Sequence, residues 1–276
     1  MGMQIQASTR TLLWVSALMM SLIAAPNWAA PINCGNRPIN LAFMPFGILY
    51  DEQNGQGRGI DKDLVDEIVQ RTGCQLTTQT VPRSRIQIDM EVGALDMTLS
   101  TLQTRERNHF AWFVPYIRSK NYAIIRADIA RTVLNSSDFS ASRPLQFGVI
   151  RGFKHGDALD QWLEPLYLAQ RVQESTTYEI LFEKLKLGRI DGLFAYPFVY
   201  KKFIQAFSLS DEITIQDWMP HDKGNLGNIA LSKSRFSETD AIRWQTLIQE
   251  MRTDGTLKRI FTHYLPVEEA EQLLDF

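Results

Sequence analysis

The sequence predicts an α/β protein built as two doubly wound lobes joined by a two-strand hinge. Three observations predict it. The chain has 276 residues, and once an N-terminal leader is set aside roughly 245 remain, a length that suits two domains better than one large core. Strand and helix patterns alternate as βαβαβ from residue 39 onward, the order of a parallel sheet with helices on both faces. Finally, one layout occurs twice, at Gly93-Ala94-Leu95-Asp96-Met97-Thr98-Leu99-Ser100 and at Gly188-Arg189-Ile190-Asp191-Gly192-Leu193-Phe194-Ala195. Each copy is a helix stop, two residues, an aspartate and an apolar strand, and the copies lie about 95 residues apart.

The elements follow in order. Ile39 to Met44 is a short apolar run bounded by polar turns, hence a buried strand. After the glycine-rich stretch Gly55 to Gly59, Asp61 is expected to cap a helix carrying Leu64, Val65, Ile68 and Val69, which Gly73 stops. Gln75 to Val81 reads as a second strand, Pro82 opens a helix with Ile86 and Met90 that ends at Gly93, and Leu95 to Ser100 is the third strand. Asn121 to Ala127 is strand-like, and Ala130 to Arg143 is polar and irregular. The pattern then resumes with a strand at Leu145 to Ile150, a helix at His155 to Leu163, and a capping box of Thr176 with Glu179 ahead of Leu181 and Leu185. Ile213 to Trp218 and Leu226 to Leu231 read as strands around the turn His221 to Asn225, and both could cross between lobes. Ser237 with Asp240 starts a helix with Ala241, Trp244, Leu247, Ile248 and Met251 on one face. Gly255 ends it before a last helical stretch, Leu257 to Tyr264.

Arg10, the apolar run Leu12 to Ile23, Pro26 and the small residues Ala29 and Ala30 form a secretory signal peptide over residues 1–30, cleaved after Ala29 or Ala30. The run falls short of the roughly 20 apolar residues a membrane span needs. Export places Cys34 and Cys74 where a disulfide persists. They sit at the starts of the first two strands, which are usual neighbours in an α/β unit. A bridge closing a loop of about 40 residues stabilises by some 3 to 4 kcal/mol in the chain-entropy model. A zinc site would need further ligands. The 29 Lys plus Arg nearly balance the 31 Asp plus Glu, and no basic run tracks a phosphate backbone, which argues against nucleic acid as a partner.

One ordered set of motifs carries a family resemblance: Gly59-Ile60-Asp61-Lys62-Asp63-Leu64, Gly93-x-x-Asp96, Thr104-Arg105-Glu106-Arg107, then Phe113-Val114-Pro115-Tyr116. In that order and spacing the chain resembles the family 3 extracellular solute-binding proteins, receptors for polar amino-acid ABC importers. The resemblance covers essentially the whole mature chain. It implies the periplasmic-binding-protein-like clamp, with residues 31–120 plus 228–276 as the first lobe and residues 121–227 inserted as the second. It also implies a periplasmic location, a small-molecule ligand, an ABC permease of the inner membrane as partner, and a monomer without metal or cofactor. Ligands of open α/β sheets lie beyond the carboxyl ends of the strands, which is compatible with such a clamp.

The resemblance assigns Arg107 to the ligand's carboxylate, a role suited to a guanidinium whose parallel donors match two carboxylate oxygens. Ser100 and the backbone at Leu102 match donor positions. Phe46 and Tyr50 follow the first strand, where the family places an aromatic wall, and Arg83 opens the second helix near the same rim. Aromatic residues there can equally be core, and a charge at a helix start can equally be solvated. The second lobe departs from the pattern: Tyr196 stands where amino-acid receptors carry an acid for the ligand's α-ammonium, and Phe153 replaces a hydroxyl in Arg151-Gly152-Phe153-Lys154-His155. An ammonium lacking a carboxylate partner forgoes about 1.5 to 3 kcal/mol. The expected ligand is therefore a small carboxylate-bearing molecule with an apolar or ring portion. Lys154 and His155 either join Arg151 in favouring an anion at this helix start or merely face water.

Other chemistries find less support. A few relatives resembling the family are dehydratases, but acid catalysis needs a carboxylic acid beside the ligand, and Asp51 and Glu52 fall in a polar loop. No Gly-x-Ser-x-Gly elbow exists, and His109, His155, His221 and His263 lack ligand spacing. A receptor handing its bound form to a membrane signalling protein would carry the same sequence features.

Overall fold

The computed structural model describes residues 1–2 and 32–276. The predicted leader and its cleavage point lie outside the described residues. Among the described residues, no helix is long and apolar enough to cross a membrane.

The chain opens with β1 (Ile39–Phe43), the small hairpin β2 (Asp51–Gln53) and β3 (Gln56–Arg58), then α1 (Ile60–Thr72), β4 (Leu76–Thr80), α2 (Arg83–Glu91) and β5 (Met97–Leu102). A short 3₁₀ turn at Arg107–His109 leads to β6 (Ala111–Ser119). The next stretch holds β7 (Tyr122–Arg126), α3 (Ser136–Ala141), β8 (Phe147–Ile150), α4 (Asp157–Leu168), β9 (Val172–Ser175), α5 (Tyr178–Lys186), β10 (Gly192–Ala195), α6 (Pro197–Phe207) and β11 (Ile213–Gln216). The chain closes with β12 (Asn225–Ser232), α7 (Glu238–Thr253), α8 (Thr256–Thr262) and α9 (Val267–Leu273).

These strands form two five-stranded sheets, ordered β4-β1-β5-β12-β6 and β11-β7-β10-β8-β9. In each, three strands joined by helical crossovers run parallel, a fourth (β12 or β7) pairs antiparallel to them, and the outermost (β6 or β11) pairs antiparallel to that fourth strand. The sheets are therefore mixed rather than wholly parallel. The antiparallel strands are the ones next to the two places where the chain changes sheet: between β6 and β7, and between β11 and β12. Asn121 follows the first change and Asn225 the second, and both donate from Nδ2 to the carbonyl of His155 (3.3 and 2.9 Å).

Burial explains why the sheets hold. Along β7, Ala123 and Ile125 face one cluster with Phe139, Phe147, Phe194 and Trp218, while Ile124 joins the cluster on the other face. That is the period-two alternation of a sheet covered on both sides. Cys34 and Cys74 form a disulfide beside the parallel pairing Ile39↔Leu76, so the bridge ties the starts of adjacent strands.

Local detail corrects several expectations. Gly59, not Asp61, precedes α1, and Asp61 is buried within the first turn. Thr177 rather than Thr176 caps α5, its hydroxyl accepting from the Ile180 N–H. The irregular stretch 130–143 contains α3, capped by the Asn135 side chain. The capping box of Ser237 and Asp240 is present as expected. α6, β6 and β9 were not signalled by the sequence pattern, because α6 is apolar on most faces, β6 contains Pro115, and β9 (VQES) lacks alternation.

Candidate functional site

The carboxyl ends of β1, β5, β8 and β10 converge on the gap between the sheets. At the end of β5 the register against β12 shifts between Asn228 and Ala230, opposite Leu99 and Ser100. Ser100 takes φ +52° there, the left-handed region that costs a non-glycine residue about 1 kcal/mol or more and clusters at functional sites. The turn aims the next residues at the gap.

A cavity of about 30 Å³ lies in this gap, lined by seven of the nine predicted site residues: Phe46, Arg83, Ser100, Leu102, Arg107, Phe153 and Tyr196. Two are elsewhere. Tyr50 stacks on Phe43 with ring centroids 4.3 Å apart and places its hydroxyl 2.9 Å from Thr80 Oγ1, so it belongs to the first lobe's own packing. Arg151 is exposed and pairs with Glu174 at 2.8 Å. Of the two residues that follow Phe153, Lys154 lines the cavity. His155 does not face water: it is buried, its ring lies 5.1 Å from Phe153 and 5.3 Å from Phe194, and neither nitrogen has a partner among the described residues.

Arg107 is 6% exposed. It donates from Nη1 to the Leu102 carbonyl (2.9 Å) and from Nη2 to the Gly152 carbonyl (3.1 Å), so it joins the two lobes without meeting a carboxylate. Burial pushes its pKa down to about 10. Arg83 is 2% exposed. It donates to Thr101 Oγ1 (3.0 Å) and the Ser100 carbonyl (2.8 Å), while Nε is buried without a partner among the described residues. Its guanidinium lies 5.6 Å from the Phe153 ring centroid. Burial, reinforced by the nearby Arg107 charge, brings Arg83 down to about 10.

Ser100 lines the cavity, but its donors are committed inward. Its hydroxyl donates to Asp61 Oδ2 (2.6 Å), which also accepts from the Tyr116 hydroxyl through Oδ1 (2.5 Å), and the Ser100 N–H donates to Tyr116 Oη (3.2 Å). Burial pushes Asp61 up to about 6, against the pull of these hydrogen bonds and of Arg83. Sequence reasoning placed Asp61 at a helix start and so missed this carboxylate. Its i+2 placement after Gly59 gave no sign that the side chain turns inward.

The opposing wall is aromatic. Phe46, from the loop after β1, packs against four rings of the second lobe: Phe153 (5.5 Å), Tyr178 (5.8 Å), Tyr196 (5.9 Å) and Phe198 (5.4 Å between centroids). Three of these pairs are edge-to-face and the one with Tyr178 is stacked, and such pairs contribute about 0.5 to 1.5 kcal/mol each beyond their buried area. Tyr178 and Phe198 escaped the sequence analysis because they belong to α5 and α6, one read only for its capping box and the other not seen. Asn225, Leu226 and Gly227 also line the cavity. At the rim, Lys202 pairs with Asp51 (2.9 Å), Lys201 with Glu269 (2.7 Å), and the Ile48 N–H donates to the Phe198 carbonyl (3.1 Å).

Chemically the site offers donors and apolar faces and no acid. None of its lining residues is Asp or Glu, and among the described residues no cluster of three His, Cys, Asp or Glu could hold a metal ion.

Comparison with known proteins agrees with this architecture. Among solved structures, the chain is similar to an ancestral arginine-binding protein bound to arginine, with a TM-score of 0.69 at 18% identity over 83% of this chain and 98% of that one. It is similar to the arginine-, lysine-, histidine-binding protein ArtJ from Geobacillus stearothermophilus, with a TM-score of 0.70 at 14% identity over 85% and 100%. It also resembles the ancestral amino-acid-binding protein AncCDT-1, a precursor of cyclohexadienyl dehydratase, with a TM-score of 0.66 at 14% identity over 83% and 95%. No curated protein matches the sequence. The model of the bacterial extracellular solute-binding proteins, family 3, matches residues 39–267, and with two such lobes enclosing a donor-lined gap, the chain belongs to that family.

Proposed function

We propose that this protein is a periplasmic receptor that closes around a small carboxylate-bearing molecule, an amino acid or related organic acid, and delivers it as a monomer to an ABC importer of the inner membrane. The observation that supports this reading most directly is Arg107: a buried guanidinium, on the wall of an interlobe cavity, with carbonyl partners but no carboxylate. A buried cation lacking an anionic partner is costly, and a ligand carboxylate relieves that cost through a charge-assisted fork. The present cavity has about the volume of one water molecule. A solute therefore enters when the lobes part or Phe46 turns aside.

The same scaffold serves as a precursor of a dehydratase in AncCDT-1. We read the present chain as a binder instead, because no carboxylic acid stands on the cavity wall to transfer a proton. The test is a thermal-shift screen of amino acids and organic acids on the mature protein, followed by calorimetry on each hit. A binder raises the melting temperature with ligand concentration by mass action, and the hit is recovered chemically unchanged. Failure of every carboxylate, or recovery of an altered compound, overturns the reading.

A further inference from the structure

The charges on the cavity wall itself do not balance. On this wall stand Arg83, Arg107 and Lys154. Three carboxylates act on the site from outside this wall: Asp61, reached through the Ser100 hydroxyl, Glu106, which acts on Arg107, and Asp160, which accepts from the His155 N–H (3.0 Å) and lies close enough to act on Arg107 and Tyr196. None of the three lines the cavity, so the wall itself presents three cations and no acid. Neither buried guanidinium has a carboxylate in hydrogen-bond contact. Arg83 also keeps an unpartnered, fully buried Nε, and the Tyr178 hydroxyl, on the ring that stacks on Phe46, is likewise buried without a partner among the described residues.

We propose that Arg83 is a second ligand-binding guanidinium beside Arg107, and that the ligand is a net-anionic organic acid without a free ammonium group. This rests on the preceding reading of the gap as a carboxylate-binding site, and it names the chemical class that fits. Both guanidinium groups stand on the wall of one dry cavity, where like charges repel and the Arg107 charge opposes that of Arg83, and a carboxylate between them removes the repulsion. A zwitterion would supply that carboxylate. It would also bring an ammonium among Arg83, Arg107 and Lys154, where the wall gives it rings and amides and no acid. The Phe153, Tyr196 and Phe198 faces suit the remaining apolar part of an acid. They do not compensate an ammonium already crowded by three cations, since the Phe153 ring is itself covered by Arg83.

The experiment is calorimetric titration of the mature chain at pH 7 with matched probes differing by the amino group: succinate and aspartate, glutarate and glutamate, 3-phenylpropionate and phenylalanine. In each pair that binds, the acid without the amino group is expected to bind tighter by about 10- to 100-fold. Tyr196→Asp places a carboxylate on the wall and should narrow or invert that ratio by at least about tenfold. Arg83→Gln should reduce the same ratio, a readout that loss of a merely structural contact would not move. An amino acid binding as tightly as its partner acid, or Tyr196→Asp leaving the ratio unchanged, overturns the inference while the proposed receptor function stands. No binding by any of the six probes, with folding verified, overturns the inference and the carboxylate reading together.

Discussion

Asp96 and Asn40 exchange a reciprocal pair of hydrogen bonds, the Asn40 N–H donating to Asp96 Oδ2 (2.8 Å) and the Asp96 N–H to the Asn40 carbonyl (3.0 Å). Asp191 and Gln146 make the same exchange in the second sheet, at 2.7 Å each way. The repeated Gly-x-x-Asp layout therefore has one physical meaning in both lobes: the aspartate fixes the register of its strand against the neighbouring parallel strand at the point where the ladder begins.

The two aspartates differ in what their removal leaves behind. Asp96 is fully buried and also takes a bidentate pair from Arg37 (2.6 and 2.8 Å) and a contact from the mostly buried Arg235 (3.4 Å). Asp96→Ala removes the acceptor of the Asn40 N–H and the partner of the mostly buried Arg235, while the half-exposed Arg37 returns to water, and is expected to cost about 2 to 4 kcal/mol. Asp191 has the partly exposed Arg126 at 3.6 Å instead, so Asp191→Ala should cost about 1 to 2 kcal/mol. Urea unfolding of both variants checks the order, and equal losses would refute the assignment.

Arg107 is the group on which ligand capture is proposed to turn. Arg107→Ala is expected to weaken the tightest carboxylate found in the screen by about 10- to 100-fold. Arg107→Lys should recover only part of this, because an ammonium keeps the charge and loses the fork. Calorimetry gives both numbers, and an unaffected Arg107→Ala would move the carboxylate elsewhere.

Asp61 and His155 make opposite contributions over the same pH range. Asp61 is raised from 3.8 to about 6, so the folded chain holds its proton more tightly than the unfolded chain. Its stabilising contribution is full below about pH 4 and is lost as pH rises through 6, by up to roughly 3 kcal/mol. His155 is lowered from 6.5 to about 3 by burial. Its contribution is full above about pH 6.5 and is lost as pH falls toward 3, by up to roughly 5 kcal/mol. Stability difference curves from pH 4 to 7 separate them. Asp61→Asn should gain on the wild type as pH rises, and His155→Phe should gain as pH falls. Parallel curves would show that neither group titrates differently in the folded state.

Much of the fold was legible in the sequence, and the reasons are particular. Gly73, Gly93, Gly188 and Gly255 sit at positive φ at helix boundaries, a conformation with a strong residue preference, so the helix ends announced themselves. The duplicated aspartate motif marked both lobes. Strand β7 was read from its apolar run at Asn121 to Ala127, whereas β6 was harder, because Pro115 interrupts its pattern. Site residues at or just beyond element ends, such as Arg83 at the start of α2, Ser100 near the end of β5 and Arg107 in the turn that follows it, could be placed by order along the chain. Asp61, Tyr178 and Phe198 could not, since what brings Asp61 to Ser100, and Tyr178 and Phe198 to Phe46, is the direction of a helical side chain. Tyr50 and Arg151 show the converse error: the right neighbourhood in sequence, with the side chain turned to Phe43 in one case and to Glu174 in the other.

The disulfide should matter for stability rather than for capture. Cys34 and Cys74 are 40 residues apart, and neither lines the cavity. The Cys34→Ser, Cys74→Ser double variant is expected to lose roughly 3 to 4 kcal/mol of unfolding free energy. Its affinity for a carboxylate ligand, measured well below the melting temperature, should match the wild type. A large loss of affinity at full folding would mean that the bridge shapes the gap.

Contact between the lobes passes through Gly47, and this gives a test of whether the arrangement described is the one that binds. Gly47 has φ +63°, and a Cβ there would lie 2.1 Å from the Phe198 carbonyl oxygen and 2.8 Å from Val199 Cα, both backbone atoms of the opposite lobe. Gly47→Ala therefore carries two penalties, the left-handed strain and a clash that only separation of the lobes relieves. Gly55 isolates the first: its φ is +74° with nothing within 4 Å of the added atom. Gly55→Ala should lose about 1 to 2 kcal/mol of stability and keep wild-type affinity and radius of gyration. Gly47→Ala should show a comparable strain, a larger radius by small-angle scattering in the presence of ligand, and an affinity reduced by at least about tenfold, since its cavity wall is no longer assembled from both lobes. If Gly47→Ala binds as the wild type does, the ligand is held in an arrangement in which Gly47 and Phe198 do not touch, and the contacts assigned here to Phe46 and Arg107 across the gap would not contribute to capture.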